Sequence, residues 1–234
     1  MRSKQSMNSH AFTLAGAALS ALPSGALYWA AAGLLAVSDL HLGKAERVAR
    51  QGGALLPPYD TAETLARLEA DITVTRPCIV VCLGDNFDDD AAARALPDGA
   101  EDRLLRLMAG RRWIWIAGNH DPGPTRLGGM HLAALHEGPL TFRHIADPAE
   151  ENEISGHYHP KLRLCLGGRR LSRRCFLADS RRVVLPAYGA YTGGLAADAE
   201  VLGRLMQKDA VAILTGPRVC AVPMRPKSAG RARC

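Results

Sequence analysis

Residues 78–88 read CIVVCLGDNFD, a short apolar run that ends in a Gly-Asp turn. The run does not alternate between apolar and polar residues. Such runs are typical of strands that are buried on both faces, as in parallel sheets covered by helices. Sites in open α/β sheets form at the carboxyl ends of these strands. The pattern therefore predicts a buried strand that delivers Asp85 to a site.

The same pattern occurs once before this strand and once after it. Residues 33–37 (GLLAV) run into Ser38-Asp39, and residues 113–117 (WIWIA) run into Gly118-Asn119. Each run is apolar throughout and ends in a side chain that can bind a metal ion. We therefore predict three buried strands with their polar ends at one edge of a sheet.

Two helices are predicted between these strands, over residues 60–72 and 99–109, with Asp60 expected to cap the first of them. The segment before the first helix contains Gly52-Gly53 and Pro57-Pro58 and is predicted to be a polar loop. Strands that alternate with helices predict an α/β fold.

The flanking segments predict further short strands. At the amino-terminal end we expect strands over residues 11–15 and 26–30, with a turn at Pro23-Ser24-Gly25. The second half of the chain is predicted to be β-rich, with strands at residues 140–144, 153–155, 163–166, 175–177, 183–185, 211–214 and 218–222. We predict a single domain over residues 10–222, with flexible tails at residues 1–9 and 223–234.

The composition is that of an ordinary globular protein, since 47% of the 234 residues are hydrophobic and 22% are charged. No apolar run approaches the roughly 20 residues of a membrane-spanning helix, so no membrane partner is expected. Residues 11–22 loosely resemble a signal peptide, but polar interruptions favour a β-hairpin there. The six cysteines are interpreted as reduced, structural thiols, which predicts a cytoplasmic location.

Charge is unevenly distributed along the chain, whose formal net charge is +6. Residues 85–102 are strongly acidic, whereas residues 161–182 are strongly basic. This arrangement is typical of metal binding combined with capture of a polyanion. The Arg pairs at 169–170, 173–174 and 181–182 are candidates for contacts with nucleic-acid phosphates. A solvated hairpin explains each of these arginines equally well.

Candidate metal ligands follow the predicted strands in both halves of the chain. Aspartate, asparagine and histidine together suit borderline divalent ions such as manganese, iron or zinc. Each motif alone also fits a surface turn, but their joint occurrence at strand ends favours a site. His144 is the least secure candidate, because His131 and His136 lie nearby. The full set is Asp39, His41, Asp85, Asn119, His120, Asp121, His144, His157 and His159.

The ordered motifs D-x-H (39–41), G-D-x-x-D (84–88), G-N-H-D (118–121) and G-H-x-H (156–159) resemble those of the calcineurin-like metallophosphoesterases. The resemblance spans about residues 34–160. It implies a two-sheet β-sandwich flanked by helices, and a site with two divalent metal ions. Manganese is expected at both positions, with iron or zinc as alternatives.

The resemblance also implies a role for each candidate residue. The implied ligands of the first metal are Asp39, His41, Asp85 and His159. The implied ligands of the second metal are Asp85, which bridges, with Asn119, His144 and His157. His120 corresponds to the general acid that protonates the leaving oxygen, and Asp121 or Asp88 is expected to orient it.

Four further segments resemble one branch of this family, the bacterial ligase-associated DNA-damage-response endonucleases. These segments are FTLAG (12–16), SGALYW (24–29), DLHLGK (39–44) and LPAYGAYTGG (185–194). The branch implies a phosphodiesterase or endonuclease that acts on DNA in repair, with a DNA ligase and a helicase as partners. The alternatives are a phosphomonoesterase or cyclic-nucleotide phosphodiesterase acting on small molecules, and a non-enzymatic scaffold of a DNA-repair complex.

Overall fold

The computed structural model describes residues 8–53, 56–94, 96–121, 123, 126–166 and 169–225. Most residues of the two predicted tails, 1–7 and 226–234, lie outside this description. The domain boundaries at residues 10 and 222 therefore stay a prediction.

A seven-stranded sheet is formed by the first half of the chain, with its strands in sequence order. The first four strands pair antiparallel, and the last four run parallel to one another. Its strands are β1 (His10–Leu14), β2 (Ala17–Ala21), β3 (Leu27–Trp29), β4 (Leu34–Val37), β5 (Ile79–Leu83), β6 (Arg112–Ile116) and β7 (Met130–Leu132). The three predicted buried strands are β4, β5 and β6.

The second half forms an eight-stranded sheet in the order β15-β14-β12-β13-β10-β9-β8, with β11 paired to β12. Strands β9, β10 and β13 are parallel, and the other pairings are antiparallel. Its strands are β8 (Ala134–Glu137), β9 (Leu140–Arg143), β10 (Glu153–Ser155), β11 (Lys161–Leu166), β12 (Arg169–Ala178), β13 (Arg182–Val184), β14 (Val211–Leu214) and β15 (Cys220–Pro223).

Five α-helices and one 3-10 turn (Ala30–Ala32) are present in the described residues. The helices are α1 (Lys44–Arg50), α2 (Asp60–Thr75), α3 (Asp90–Arg94), α4 (Ala100–Met108) and α5 (Glu200–Leu205). The two predicted helices are α2 and α4, so their existence and positions are confirmed.

Three hydrophobic clusters hold these layers together. Residues such as Ala36, Val81 and Phe176 pack between the two sheets. The outer face of the first sheet packs against α2 and α4, and the outer face of the second sheet packs against α5. Both faces of the first sheet are therefore buried, which explains why β4 and β5 lack apolar-polar alternation. The predicted α/β fold, a two-sheet sandwich flanked by helices, is confirmed.

Helix α1 was not expected, since its segment was predicted to be a polar loop. Its amino-terminal end is held from α2, because the Asp60 carboxylate accepts a hydrogen bond from the Ala45 N–H (3.2 Å). The Thr61 hydroxyl accepts another from the Gly43 N–H (2.9 Å). The prediction that Asp60 caps its own helix is therefore wrong: its side chain binds a neighbouring helix, a non-local contact that sequence spacing does not reveal.

Two other expectations need correction. The amino-terminal segment contains an extra hairpin turn at Ala15-Gly16, where both residues have positive φ. Cys78, Cys82, Cys175 and Cys220 are free thiols, as expected, but Cys165 is disulfide-bonded. Unlike the buried Cys82 and Cys175, Cys165 lies exposed on the β11–β12 hairpin, so the core does not shield its sulfur from oxidation.

None of the helices within the described ranges is long and apolar enough to cross a membrane.

Candidate dinuclear metal centre

Three candidate ligands follow adjacent parallel strands of the first sheet. Asp39 follows β4, Asp85 follows β5 and Asn119 follows β6. Main-chain hydrogen bonds join the first two strand ends, from the Asp39 N–H to the Gly84 carbonyl (3.2 Å) and from the His41 N–H to the Asp85 carbonyl (2.9 Å). The loops are thus held side by side at the carboxyl edge of the sheet, where sites of open α/β sheets form.

The second sheet brings its own ligands to the same place. His144 directly follows β9, and His157 lies two residues after β10. The Gly156 N–H donates to the His144 carbonyl (2.9 Å), which ties these strand ends together. The His157 N–H donates to the Asp39 carboxylate (3.0 Å to Oδ2) and so connects the two sheets. The parallel strands of both sheets therefore end at one site.

Asp39, His41 and His159 form the first group of potential ligands, with one donor atom of each lying within 4.8 Å of the others. The Nε2 atom of His159 lies 3.1 Å from Oδ1 of Asp39. The rings of His41 and His159 meet edge to face at a centroid distance of 5.3 Å. Asp39 is fully buried, and its carboxylate also accepts a hydrogen bond from the Ser38 hydroxyl.

Asp85, His144 and His157 form the second group, again within 4.8 Å of one another. Nε2 of His144 lies 3.4 Å from Oδ1 of Asp85 and 3.2 Å from Nδ1 of His157. The amide oxygen of Asn119 lies 3.0 Å from the same nitrogen. The seven side chains predicted as ligands thus converge, and Nδ1 of His144, 3.9 Å from Oδ1 of Asp39, links the two groups.

The orientation of His144 is set by the backbone. Its Nδ1 lies 2.8 Å from the Leu83 carbonyl, which can only accept a hydrogen bond, so Nδ1 carries a proton. Nε2 then faces the electron-rich oxygens of Asp85 and Asn119. In the metal-free chain a second proton can fill this position: burial opposes the charge, but the hydrogen bond and charge of Asp85 raise the pKa of His144. A divalent cation bound by these atoms would replace that proton.

Two buried ring nitrogens support metal binding independently. Nε2 of His41 and Nε2 of His159 have no hydrogen-bond partner among the described residues, because the 3.1 Å contact of the second with Oδ1 of Asp39 lacks hydrogen-bond geometry. A buried polar atom without a partner costs free energy, and such atoms in native proteins have a functional or structural reason. Because both nitrogens belong to the Asp39 group, a metal ion bound there would satisfy them. The residues present therefore fit the two divalent cations that the family resemblance implies.

Backbone strain is concentrated at this site. Nine non-glycine residues in the described part of the chain have positive φ, and five of them are candidate ligands. This left-handed conformation is unfavourable for residues with a Cβ atom, and its accumulation is typical of functional sites. The five ligands are Asp39 (φ 53°), His41 (46°), Asp85 (46°), His157 (70°) and His159 (48°).

Two positions beside the ligands require glycine, because neighbouring loops approach their backbone too closely for a Cβ atom. A Cβ atom built on Gly118 would lie 2.1 Å from the Asp85 nitrogen and 2.4 Å from its Oδ1. A Cβ atom on Gly156 would lie 1.7 Å from Oγ of Ser38. These glycines let the strand-end loops approach closely enough for their ligands to converge.

Asp88 contacts a metal ligand through its side chain. Its Oδ1 lies 2.8 Å from Nδ1 of His41, and Arg47 and Lys44 (3.3 Å) pair with the same carboxylate. Burial works to raise the pKa of Asp88, but the His41 hydrogen bond and the two cations outweigh it and hold that pKa well below its usual value. Asp88 therefore orients His41 as an ionised carboxylate.

His120 lies at the edge of the site and is exposed. Its main-chain N–H donates to Oδ1 of Asp85 (2.9 Å), and its Nδ1 lies 3.0 Å from the main-chain carbonyl of Asp88. Its ring meets that of His41 edge to face, with centroids 5.3 Å apart. Because the Asp88 carbonyl contacts Nδ1 of His120, the Nε2 atom of this ring is left available for a substrate. Asp88 therefore orients His120 through its backbone.

Asp121 is buried and binds the loop after β5. Its Oδ2 accepts hydrogen bonds from the Asn86 N–H (2.9 Å), the Asn86 side chain (2.8 Å) and the Phe87 N–H (3.3 Å). Burial raises the pKa of Asp121 to about 6, although these hydrogen bonds oppose the shift. The described contacts of its carboxylate are with the Asp85 loop; the orienting role expected for it toward His120 stays a prediction.

The sequence did not indicate Lys44 or Arg47 as contributors to the site. The two cations project from α1, which was itself unpredicted, and the Lys of DLHLGK is the signal that could have suggested them. Tyr188 is fully buried and donates a hydrogen bond to Asp71 (2.8 Å), whereas Tyr191 is 40% exposed. The segment between them is tied to the site, since the Gly189 N–H donates to the Asp39 carbonyl (3.0 Å).

Comparison with known proteins agrees with this geometry. The model of the calcineurin-like phosphoesterase family matches residues 33–189, well over half of the chain. The chain therefore belongs to the calcineurin-like phosphoesterases, and it is a hydrolase that acts on phosphoester bonds.

Among solved structures, the chain is similar to the Pseudomonas putida nuclease MPE. The two are 28% identical in sequence with a TM-score of 0.71, and the match covers 92% of this chain and 100% of that one. No curated protein sequence matches the chain. The resemblance to a nuclease thus extends over nearly the whole molecule.

Proposed function

We propose that the protein is a nuclease that hydrolyses phosphodiester bonds of DNA at a dinuclear metal centre. The observation that carries this proposal is the convergence of the Asp39 and Asp85 ligand groups, linked through His144. The similarity to a nuclease over nearly the whole chain supports the choice of substrate class. We further propose manganese as the metal, because the ligands are imidazole, carboxylate and amide groups without thiolate.

The proposed ligands divide between two positions. Asp39, His41, Asp85 and His159 would hold one cation, and Asp85, Asn119, His144 and His157 the other. Two divalent cations supply Lewis acidity that neutralises phosphoryl oxygens and activates water. The chain's part is to hold these ligands, four of them buried and five of them with a strained backbone, in place before the substrate arrives, so that less reorganisation is needed during the reaction.

His120 is the proposed general acid. Its Nδ1 is bound to the Asp88 carbonyl and its main chain to Asp85, so the ring is fixed while its Nε2 edge stays available. In the imidazolium form, Nε2–H can donate its proton to the oxygen of the departing nucleotide, which improves it as a leaving group. Asp121 supports this arrangement indirectly, because it holds the loop that carries Asp85.

We also propose that the enzyme works in DNA repair in the cytoplasm, beside a DNA ligase and a helicase. This part of the proposal is supported by the branch-specific segment LPAYGAYTGG (185–194), which contacts Asp39 directly. Its test is genetic: deletion of the gene should sensitise cells to DNA damage, and the wild-type copy should restore resistance. A copy carrying Asp85→Asn should fail to do so.

The activity is tested with metal-free protein supplied with single divalent cations. Hydrolysis of labelled single- and double-stranded DNA is measured beside that of a generic aryl phosphodiester and an aryl phosphomonoester. The expected result is manganese-dependent cleavage of DNA and of the diester. Rapid turnover of small esters with DNA left intact would instead support the small-molecule alternative.

Variants test the role proposed for each residue. His120→Ala should keep its bound metal by elemental analysis while kcat falls about 10²- to 10⁴-fold, as expected for loss of a general acid. Asp85→Asn should lose both metal and activity. His136→Ala is the matched control, since this exposed histidine on β8 contacts Thr141 and lies outside both ligand groups. Loss of metal from the His120 variant would make that residue a ligand.

A further inference from the structure

The β11–β12 hairpin begins two residues after His159 and projects from the second sheet. Strand β12 pairs with β14 only from Cys175 onward, and its residues before that pair with β11. Residues 169–173 are exposed. The hairpin is therefore a solvent-exposed, two-stranded extension that begins close to the metal centre.

Strand register divides the hairpin into two faces, because directly paired residues of antiparallel strands lie on the same face. The pairs Lys161↔Arg174, Arg163↔Ser172 and Cys165↔Arg170 lie on one face. The pairs Leu162↔Arg173 and Leu164↔Leu171 lie on the other, and Arg169 joins them by strand alternation. We call the surface formed by Lys161, Arg163, Arg170 and Arg174 the basic face.

The basic face carries little compensating charge, since Glu63 acts on Arg174 only at a longer range than an ion pair. Lys161 and Arg174 are directly opposite each other, and like charges in that position destabilise a strand pair. No ion pair with an acidic side chain involves any of its four cations within the described ranges. Two of the four cations also bond to main-chain carbonyls of the fold. The accumulated positive charge suits the binding of a polyanion.

Two of these cations contact the segment 189–192, which lies beside the metal centre. The Arg174 guanidinium donates to the Gly189 carbonyl (2.9 Å), and the Lys161 ammonium donates to the Thr192 carbonyl (3.1 Å). Gly189 in turn donates through its N–H to the Asp39 carbonyl (3.0 Å). One hydrogen-bonded connection through Gly189 thus leads from Arg174 to a metal ligand, while Arg163 and Arg170 lie farther out on the same face.

We propose that the basic face binds the phosphodiester backbone of a DNA strand and positions one of its phosphates at the metal centre. This inference rests on the proposed nuclease function and names the surface that would hold the substrate. Clustered Lys and Arg side chains provide salt-dependent affinity for phosphates and fix the position of the strand without reading its sequence. Arg182 takes no part, contrary to expectation, because it is only 1% exposed and is bonded within the fold.

The test compares two double variants of the same hairpin. Arg163→Gln with Arg170→Gln removes two charges from the basic face, and Arg169→Gln with Arg173→Gln removes two from the opposite face. Binding of a fluorescent single-stranded DNA of about 20 nucleotides, enough to cover such a surface, is measured by anisotropy in chelator over a series of salt concentrations. Cleavage of the same DNA and of an aryl phosphodiester is measured with manganese.

The basic-face variant should bind this DNA about tenfold more weakly, with a salt dependence reduced by about 1 to 2 in log–log slope. Its turnover of the aryl diester should stay within about twofold of wild type, which reports an intact fold and metal centre. The opposite-face variant should bind like wild type. Equal losses in both variants, unchanged binding in the basic-face variant, or no DNA binding by the wild type would each overturn the proposal. Wild-type protein that binds DNA but does not cleave it would contradict the proposed function instead.

Discussion

Oδ1 of Asp88 lies 2.8 Å from Nδ1 of His41, so an ionised carboxylate holds the imidazole of a candidate metal ligand. The contact occupies Nδ1 and leaves the buried Nε2 of His41 as the nitrogen available to a cation. Carboxylate–histidine–metal arrangements of this kind fix the ring and increase its basicity. Asp88 therefore contacts the candidate metal centre through its carboxylate, which holds His41, and the proposed general acid His120 through its main-chain carbonyl.

Asp88→Asn should weaken metal binding, because His41 loses its charged partner. We expect the affinity for the cation at the Asp39 group to fall about 10- to 100-fold, measured by titrating activity with manganese. Asp89→Asn is the matched control, since the Asp89 side chain pairs with the exposed Arg50. Equal affinities for the Asp88 variant and wild type would show that the contact with His41 has no role in metal binding.

Gly156→Ala should disrupt the connection between the sheets. The added Cβ would meet the Ser38 hydroxyl and the Asp39 carboxylate, and both are buried. We expect a loss of about 1–3 kcal/mol in the free energy of unfolding, measured by urea denaturation, together with reduced metal content. Gly193→Ala, where an added Cβ meets nothing within 4 Å, should behave like wild type. An equally stable Gly156 variant would contradict the close approach of these loops.

Arg182→Met should strongly destabilise the second sheet. The buried guanidinium donates to the carbonyls of Asp147 (3.0 Å) and Glu150 (2.7 Å) and pairs with buried Glu153 (3.3 Å). Removing it leaves Glu153 buried with Arg143 as its remaining cationic partner, and such losses cost about 3–5 kcal/mol. Thermal denaturation provides the measurement. Arg181→Met, which breaks an exposed pair with Glu151, should cost about 0–1 kcal/mol.

The stability contribution of Asp71 should depend on pH. Burial raises the pKa of this carboxyl above its ordinary value of 3.8, although hydrogen bonds from Ser24 and Tyr188 and the charge of Arg67 oppose the shift. Its contribution is therefore fully present below pH 3.8 and is lost as pH rises through the folded-state pKa. Urea denaturation from about pH 4 to pH 7 should show wild type losing stability relative to Asp71→Asn. If the stability difference between the two proteins is constant with pH, or changes in the opposite direction, the expected pH dependence is wrong.

Metal removal should lower the thermal stability of the wild-type protein. A cation that binds only the folded state stabilises it by about 2.7 kcal/mol when present at roughly one hundred times its dissociation constant. We expect the melting temperature to rise when manganese is added to chelator-treated protein, and to rise less for His159→Gln. An unchanged melting temperature in wild type would argue against binding by the folded chain.

Much of the first sheet was predictable from residues 33–37, 78–83 and 113–117. Their unbroken apolar runs are a local property of the sequence, and they report burial on both faces of the sheet. The same holds for α2 and α4, which the periodicity of their apolar residues revealed. Helices α1, α3 and α5 and strands β7 and β8 were not predicted, because short elements carry weak periodic signals and are stabilised mainly by tertiary contacts.

The sequence by itself determined which residues can bind metal and at which strand ends they occur, since residue type and strand pattern are both local. The tertiary structure decided that Asp88 orients His41, that Asp60 binds α1, and that Arg182 is buried while Arg170 lies on an exposed face. These outcomes depend on contacts between segments far apart in the chain. Each of these contacts results from the packing of the two sheets and from strand register. The spacing of residues along the chain does not predict either of them.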